Sequence, residues 1–210
     1  MKEYHKIQTV FLRDPETKFR TLLLGQYAEP EFAFLATNEW IFTEKVDGTN
    51  IRVMIWETGR ISFGGKTDNA SIPAPLVSFL EQRFFPQERL LRDIFPEGGC
   101  LYGEGYGARI QKGGGNYRPD AGFVLFDIKV REYWLQRQAV EDVAAKLSLD
   151  IVPIIGSGTL PDMCERAKFG IRSIWGDFKA EGIVARPATE LRTRAGHRII
   201  TKIKTKDFAA

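Results

Sequence analysis

The sequence predicts an α+β fold, in which antiparallel sheets are flanked by helices. Strand-like segments outnumber helix-like segments, and the two kinds do not alternate regularly, so a doubly wound parallel sheet is disfavoured. The chain has 210 residues, of which 43% are apolar. That is enough to bury the core of one domain, and we expect residues 1–210 to form a single domain.

Eight segments have the apolar or alternating pattern of strands. They are residues 40–43, 51–56, 60–63, 100–104, 123–130, 151–155, 182–186 and 198–204. Residues 57–60 have the composition of a hairpin turn, and residues 111–116 that of a flexible loop. Four segments predict helices, at residues 75–82, 87–94, 137–146 and 160–168. In the third of these, Ala139, Val140, Val143, Ala144 and Leu147 form one apolar stripe.

The heptapeptide Glu44-Lys45-Val46-Asp47-Gly48-Thr49-Asn50 lies between two strand-like runs. A lysine at the end of a buried strand is well placed to act as a nucleophilic amine. Such an amine attacks only when it is deprotonated, which requires desolvation or nearby positive charge. The alternative is a solvated lysine in a hairpin turn, because Asp-Gly is a strong turn signal. The heptapeptide alone favours neither interpretation.

Two further motifs carry carboxylates in unusual surroundings. Glu104 lies between Gly103 and Gly105, where it could contact a sugar hydroxyl or a metal-bound water. Its alternative role is an ordinary surface residue of a glycine-rich loop. Asp127 interrupts an apolar strand, and alternation predicts that Phe126 and Asp127 point to opposite faces. The Phe126 ring could stack on a base, although core packing is the more common role for Phe.

The last third of the chain contains Glu181-Gly182 and then Lys202 and Lys204, which share one face of a strand. Two like charges on one face repel each other unless an anion lies between them, and a phosphate would suit that position. The alternative is a strand with one solvated face. No acidic residue occurs from Leu191 to Lys206, whereas six basic residues do, so this stretch suits phosphate-bearing ligands or nucleic acid. Its alternative role is a solvated surface.

Other classes of protein are disfavoured by composition. The two cysteines are far apart, which does not suggest a disulfide framework or a metal site, and both are expected to be buried thiols. Two histidines make a histidine-based metal site or triad improbable. No signal-peptide core and no membrane-spanning run is found, so we expect a cytoplasmic protein that does not associate with membranes.

The order of the motifs resembles that of the covalent nucleotidyltransferases, and most of all the ATP-dependent RNA ligases of the RNA ligase 2 type. Lys45 to Asn50 resembles their first motif, with Asn50 where DNA ligases usually have Arg. Residues 101–107, Phe126-Asp127, Glu181-Gly182 and Lys202-x-Lys204 resemble the following motifs in the same order. The resemblance implies a ligase adenylation domain similar to the ATP-grasp fold.

The resemblance also implies ATP and Mg²⁺ or Mn²⁺ as cofactors, and a reaction in three steps. Lys45 would form lysyl-AMP, AMP would pass to a 5′-phosphate end of RNA, and a 3′-hydroxyl would then seal the strand in RNA repair. Lys202 and Lys204 would stabilise charge on the α-phosphate. Asp47, Glu104 and Glu181 would hold the metal.

The remaining matched positions would bind the nucleotide. Phe126, in the motif with Asp127, would stack on adenine, and Glu104 could bind the ribose. Glu44 and Asn50 would contact the base and the sugar or phosphate. Lys66 stands where the family usually has an Arg, and the resemblance implies that it would lie near the ribose and phosphates.

The chain ends six residues after Lys204, which is too few for the OB-fold or helical domain of similar ligases. From this we expect a minimal single-domain ligase, with a partner protein or a homodimer as a source of further surface for RNA ends. A small ATP-dependent DNA ligase is the nearest alternative, and a capping-type guanylyltransferase is a weaker one. A binding module without catalysis is disfavoured because the acidic and basic motif residues occur together with Lys45.

Overall fold

The computed structural model describes residues 3–208, and these residues form thirteen strands and five α-helices. The strands are β1 (Gln8–Thr9), β2 (Phe11–Arg13), β3 (Leu22–Tyr27), β4 (Trp40–Lys45), β5 (Thr49–Ile55), β6 (Ile61–Gly64), β7 (Gly99–Tyr106), β8 (Gly122–Val130), β9 (Tyr133–Trp134), β10 (Asp150–Ile151), β11 (Ile154–Gly158), β12 (Gly182–Pro187) and β13 (Thr201–Lys204). The helices are α1 (Pro30–Phe34), α2 (Ala74–Phe84), α3 (Glu88–Ile94), α4 (Arg137–Leu147) and α5 (Leu160–Phe169).

The described residues divide into two compact units, each with its own apolar core. The six-stranded unit contains residues 3–5 and 47–152, and the five-stranded unit contains residues 6–46 and 153–208. They are named here after their main sheets. The prediction that residues 1–210 make a single nucleotidyltransferase domain stays a prediction.

The main sheet of the six-stranded unit has the order β10-β8-β7-β5-β6, and β9 pairs with β8. All of its pairs are antiparallel except β10 with β8. Its core joins the apolar faces of these strands to α2, α3 and α4, with Leu80, Phe84 and Leu125 among the fully buried side chains. This sheet carries Asn50, Glu104 and Phe126.

The main sheet of the five-stranded unit has the order β1-β13-β12-β4-β11, and β2 and β3 form a separate hairpin. The central strand β12 is antiparallel to both β13 and β4. Helix α5 packs its buried Leu160, Met163 and Ala167 against this sheet's core. The helix begins with a capping box, in which Thr159 and Asp162 satisfy each other's backbone N–H groups. This sheet carries Lys45, Glu181 and Lys204.

The predicted fold class is confirmed, because the structure is a mixed α+β arrangement of largely antiparallel sheets with few helices. All four predicted helices are present within two residues of their predicted bounds. The turn at residues 57–60 joins β5 to β6, with the Trp56 N–H donating to the Arg60 carbonyl at 2.9 Å. The predicted loop at residues 111–116 contains a short 3-10 helix at Gly114–Asn116.

Three predictions about strands were wrong or incomplete. Residues 151–155 form not one strand but parts of β10 and β11, which lie in different sheets and are separated at Pro153. Proline has no N–H to donate to a ladder, which explains the break. The last strand begins at Thr201 rather than residue 198, and Arg198 instead forms an isolated bridge with Arg192. Strands β1–β3, strand β9 and helix α1 were not predicted.

The interpretation of Lys45 as a hairpin-turn residue is also wrong. Strand β4 ends at Lys45 and β5 begins at Thr49, but the two strands belong to different sheets and do not pair. Residues 46–48 are therefore a connection between sheets. Among residues 3–208, no helix is long and apolar enough to cross a membrane.

The two cysteines are weakly reactive thiols. Burial raises the pKa of Cys100 to about 11 and that of Cys164 to about 12. Cys100 is buried as predicted, whereas Cys164 is partly exposed.

Candidate active site

Three strands of the five-stranded unit bring Lys45 and Lys204 to the same level of the sheet. Gly182 on β12 is the register partner of Lys45 on β4 and of Lys204 on β13. A Cβ atom at Gly182 would overlap the Ile203 carbonyl oxygen and crowd the Lys204 Cα, so only glycine permits this approach. Because neighbouring strands are about 4.8 Å apart, the two lysine backbones are separated by roughly 10 Å.

The Glu181 carboxylate bridges these two lysines. Lys45 Nζ lies 2.5 Å from Glu181 Oε2, and Lys204 Nζ lies 2.6 Å from Glu181 Oε1. The side chains of Lys45, Glu181 and Lys204 are 18%, 14% and 25% exposed, so water screens these ion pairs only partly. Glu181 directly precedes Gly182 on the central strand, which explains why it lies between the two lysines.

The two lysines also determine the protonation of Glu181. Burial alone would raise the pKa of this carboxyl, but the charges of Lys45 and Lys204 and their hydrogen bonds outweigh burial and hold the pKa below its ordinary value of 4.5. Glu181 is therefore ionised at neutral pH. A carboxylate so stabilised is a weak base, so its role here is to pair with ammonium groups.

Strand β13 has the alternation that the sequence predicts. Thr201 and Ile203 are buried, whereas Lys202 and Lys204 are partly exposed and share one face. An anion does balance charge on this face, as expected from the repulsion of like charges. In the structure, however, that anion is the Glu181 carboxylate, which pairs with Lys204.

Lys204 is held in place by residues that the sequence analysis missed. Its backbone N–H donates to Asp207 Oδ2 at 3.0 Å, and Asp207 Oδ1 accepts from Arg13 at 2.7 Å. The Thr205 N–H donates to the Glu181 carbonyl at 2.9 Å. The only sequence signal was an aspartate directly after a long stretch without acidic residues.

Glu44 lies on the face of β4 opposite Lys45. It is 1% exposed and accepts hydrogen bonds from the Ser173 hydroxyl at 2.7 Å and the Ile174 N–H at 3.1 Å. Burial raises the pKa of Glu44, and the two hydrogen bonds oppose this only in part. In this structure Glu44 fixes the turn at Ser173, and its contact with a base stays a prediction.

In the six-stranded unit, the loop at residues 46–48 leads closely past β7. A Cβ atom at Gly48 would overlap the Gly105 carbonyl oxygen and lie 2.8 Å from Glu104 Cγ. Glycine is therefore required at position 48, because the loop backbone here approaches strand β7. The adjacent Asp47 carboxylate accepts a hydrogen bond from the Gly113 N–H at 3.0 Å.

Asn50 and Glu104 are directly paired in the antiparallel register of β5 and β7. Both side chains are partly buried. The Asn50 Oδ1 atom is buried and has no hydrogen-bond partner among the described residues. Because an unsatisfied buried acceptor is costly, a donor from a ligand would complete this position.

Phe126 and Asp127 do not point to opposite faces, so that prediction was wrong. Tyr102 pairs with Asp127 and Gly103 pairs with Leu125, so Phe126 is the extra residue of a β-bulge. As a result, both side chains contact Tyr4: the Phe126 ring lies edge-on at 5.1 Å, and Asp127 Oδ2 accepts from the Tyr4 hydroxyl at 2.6 Å. Asp127 is completely buried, so in this structure its carboxylate is not available to a cofactor.

Lys66 is exposed in the loop that follows β6. The basic residue that organises this loop is Arg52, which is completely buried. Its guanidinium donates to the Gly65 carbonyl at 2.9 Å and pairs with Asp68 at 2.7 Å. A charged residue inside strand β5 was the sequence signal for this arrangement, and it was missed.

The three predicted metal ligands, Asp47, Glu104 and Glu181, have separate surroundings in the two units. No group of three acidic, histidine or cysteine side chains suited to a metal ion occurs among residues 3–208. Glu181 pairs with two lysines, and Asp47 accepts from Gly113. Asp47 and Glu104 belong to the six-stranded unit, whereas Glu181 belongs to the five-stranded unit. The prediction that these three carboxylates hold the metal stays a prediction.

Comparison with known families agrees with the order of these motifs. The RNA ligase family model matches residues 38–204, which is most of the chain. The chain belongs to the RNA ligase family. No curated protein matches it closely enough to add a functional comparison.

Solved structures of Naegleria gruberi RNA ligase share the fold. A mutant with ATP and Mn has a TM-score of 0.70 at 18% identity, and the protein with PPi has a TM-score of 0.68 at 18% identity. A mutant with AMP and Mn has a TM-score of 0.68 at 16% identity. Each match covers 97% of this chain but 56% of the Naegleria chain, so this sequence spans little more than half of those proteins.

The bridge between Glu181 and the lysines predicts a specific dependence of stability on pH. A carboxyl whose folded-state pKa lies below 4.5 contributes stability above that pH, and this contribution is lost as the pH falls through the folded-state pKa. We expect Glu181→Gln to lower the free energy of unfolding at neutral pH, and the deficit to shrink below about pH 4. Urea unfolding of the unmodified protein and of Glu181→Gln, from neutral pH to below about pH 4, measures this difference in free energy.

The matched control is Glu165→Gln, at an exposed position of α5. It should leave the free energy of unfolding unchanged at every pH. A Glu181→Gln deficit that stays constant down to pH 3 would contradict the assigned charge interaction.

Proposed function

We propose that this protein is an ATP-dependent RNA ligase in which Lys45 is the nucleophile. The observation that carries the proposal is the pair of lysines, Lys45 and Lys204, held by the single Glu181 carboxylate. Because both ammonium groups are already positioned around one carboxylate, a phosphate could replace that carboxylate and bind between them. The match to the RNA ligase family supports the reaction class. The ATP, AMP and PPi named with the Naegleria structures support the cofactor.

In the first step, the Lys45 amine attacks the α-phosphorus of ATP. A bond forms between Nζ and phosphorus, the bond from the α-phosphorus to the oxygen bridging to the β-phosphate breaks, and pyrophosphate leaves. In the resting protein Lys45 is an ammonium paired with Glu181, and an ammonium has no lone pair with which to attack. We propose that the α-phosphate displaces the Glu181 carboxylate from both lysines. Lys45, no longer paired with Glu181, can then lose its proton to solvent, while Lys204 stabilises the developing charge.

The second and third steps use the lysyl-AMP as an activated carrier. A terminal 5′-phosphate oxygen of RNA attacks the AMP phosphorus, the bond between this phosphorus and Lys45 Nζ breaks, and Nζ takes up a proton from solvent so that Lys45 leaves as an amine. The 3′-hydroxyl of a second end then attacks the 5′-phosphorus, a phosphodiester bond forms, and AMP leaves. We propose that Lys202 shares with Lys204 the stabilisation of phosphate charge, because the two lie on one face of β13.

Residues of the six-stranded unit fit a nucleotide in their chemistry. The unsatisfied Asn50 Oδ1 is an acceptor for a sugar hydroxyl, and the partly exposed Phe126 ring is a stacking surface for adenine. Mg²⁺ or Mn²⁺ needs only one or two protein carboxylates when ATP phosphates supply other ligands. Asp47, Glu104 and Glu181 provide such hard oxygen donors. A bound ion there would neutralise phosphate charge and favour the neutral amine.

The basic stretch from Leu191 to Lys206 is divided between different roles. Lys204 belongs to the lysine pair and Arg198 is 7% exposed, so neither forms part of an open basic surface. Arg192 and Arg194 are exposed on a small hairpin, residues 191–199, closed by a hydrogen bond from the Ile199 N–H to the Leu191 carbonyl. We call this the basic hairpin and propose that it contacts the RNA backbone.

The nucleophile is tested by covalent labelling with α-labelled ATP and Mg²⁺ on a denaturing gel. The unmodified protein should be labelled, and Lys45→Ala and Lys45→Arg should not. Arginine keeps the positive charge but does not deprotonate near neutral pH. Labelling of either variant to the same extent would exclude Lys45 as the nucleophile, and preferential labelling by GTP would indicate a guanylyltransferase.

A second test concerns the stabilisation of phosphate charge. Lys204→Met should slow lysyl-AMP formation by about 100-fold or more, since it removes a preorganised charge at the reacting phosphate. Lys206→Met, which removes an exposed lysine two residues away, is the control and should react at the normal rate. A similar rate for Lys204→Met and the control would remove Lys204 from the mechanism.

RNA contact by the basic hairpin is tested with a salt series. For Arg192→Ala with Arg194→Ala, we expect weaker sealing of 5′-phosphate RNA and a shallower dependence on salt, by about 0.7 in log–log slope per lost phosphate contact. Arg20→Ala, at another exposed site of the same unit, should keep the original slope. An unchanged slope in the double variant would refute the contact.

The same sealing assay distinguishes the two substrate classes. Faster sealing of DNA than of RNA 3′-ends would favour a DNA ligase.

A further inference from the structure

The first described residues, Glu3 and Tyr4, contact the loop of Lys66 and the ring of Phe126, two positions expected to bind the nucleotide. We propose that these two residues form an N-terminal strap that positions the Phe126 ring for the base and the Lys66 loop for the phosphates. The inference rests on the proposed ATP-binding role of Phe126 and Lys66. Both strap residues and both elements lie within the six-stranded unit.

Tyr4 is joined to the sheet by a buried hydrogen bond. Its hydroxyl donates to Asp127 Oδ2 at 2.6 Å, and the two residues are 7% and 0% exposed. A hydrogen bond in a buried site is electrostatically stronger than one at the surface. Asp127 thereby acts as the anchor of Tyr4, which accounts for an aspartate inside an apolar strand.

The Tyr4 ring packs against Phe126, whose side-chain direction the strand ladder does not fix. Phe126 is the extra residue of the β8 bulge, so the ladder with β7 does not fix its direction. The Tyr4 ring meets Phe126 at 5.1 Å with planes inclined by 71°, and it also packs against Tyr102 and Trp134. An edge contact of this kind restricts the orientation of both rings. The orientation of Phe126 therefore depends on Tyr4.

Glu3 ties the same segment to the loop that carries Lys66. Glu3 Oε1 accepts a hydrogen bond from the Asp68 backbone N–H at 2.8 Å. From the other side, Arg52 pairs with the Asp68 carboxylate at 2.7 Å and donates to the Gly65 carbonyl at 2.9 Å. Lys66 lies between these fixed points, so Glu3 contributes to the position of an exposed cation.

The two halves of the strap should affect different parts of the nucleotide. Tyr4 acts through Phe126 and thus on the base, whereas Glu3 acts through the Lys66 loop and thus on the phosphates. ATP has both parts, and inorganic tripolyphosphate has only the second. A comparison of the two probes therefore separates positioning of the ring from a general loss of structure.

The experiment measures the affinity of the full-length protein for ATP and for tripolyphosphate by calorimetry. Tyr4→Phe keeps the ring and removes one hydrogen bond, so ATP affinity should fall about 2- to 10-fold while tripolyphosphate affinity is unchanged. Tyr4→Ala should lower ATP affinity further. Glu3→Ala should instead weaken both probes by the same factor. The control Tyr133→Phe, at a tyrosine that is 73% exposed in the same unit, should change neither.

Equal loss of affinity for the two probes in Tyr4→Phe would overturn the inference, because it would indicate a structural effect. Unchanged ATP affinity in Tyr4→Phe would overturn it as well. The proposed function fails separately, if the unmodified protein binds ATP but is not labelled covalently. An unmodified protein that does not bind ATP would overturn both.

Discussion

The interaction on which the candidate site depends is the shared ion pair of Glu181 with Lys45 and Lys204. Without the carboxylate, the ammonium groups on β4 and β13, the two strands that flank β12, would repel each other in a partly buried setting. With it, both side chains are held in one arrangement by a single anion. In the proposed mechanism, Lys45 must leave this carboxylate before its amine can attack, and the exchange of the carboxylate for a phosphate would couple ATP binding to that release.

This ion pair depends in turn on backbone geometry. It requires β4, β12 and β13 to lie side by side in one register, which Gly182 permits because it carries no side chain. Asp207 and Arg13 fix the end of β13 from outside the sheet. In the six-stranded unit the corresponding supports are Tyr4 and Arg52, which hold Phe126 and the Lys66 loop. In each unit, residues outside the family motifs hold the motif residues in place.

Much of this arrangement follows from local sequence patterns. The helices, the main strands, the turn at residues 57–60 and the shared face of Lys202 and Lys204 all depend on periodicity that a single sequence reveals. The bulge at Phe126 and the break at Pro153 could not be placed, because they depend on how partner strands align. The contacts of Asp127 with Tyr4 and of Glu44 with Ser173 join residues more than a hundred positions apart, and no local pattern encodes such pairs.

The most direct test of the shared ion pair is the rate at which an amine-acylating reagent modifies Lys45 in the folded protein near pH 8. Mass spectrometry measures how much of each lysine has been modified. The Lys45 amine is only partly exposed and its Nζ atom contacts Glu181, so this ion pair should protect it from the reagent in the unmodified protein. In Glu181→Gln the modification of Lys45 should be several-fold faster, while the exposed Lys66 and Lys206 serve as internal references with unchanged rates. Equal rates at Lys45 in the two proteins would contradict the claim that Glu181 holds this lysine in an ion pair.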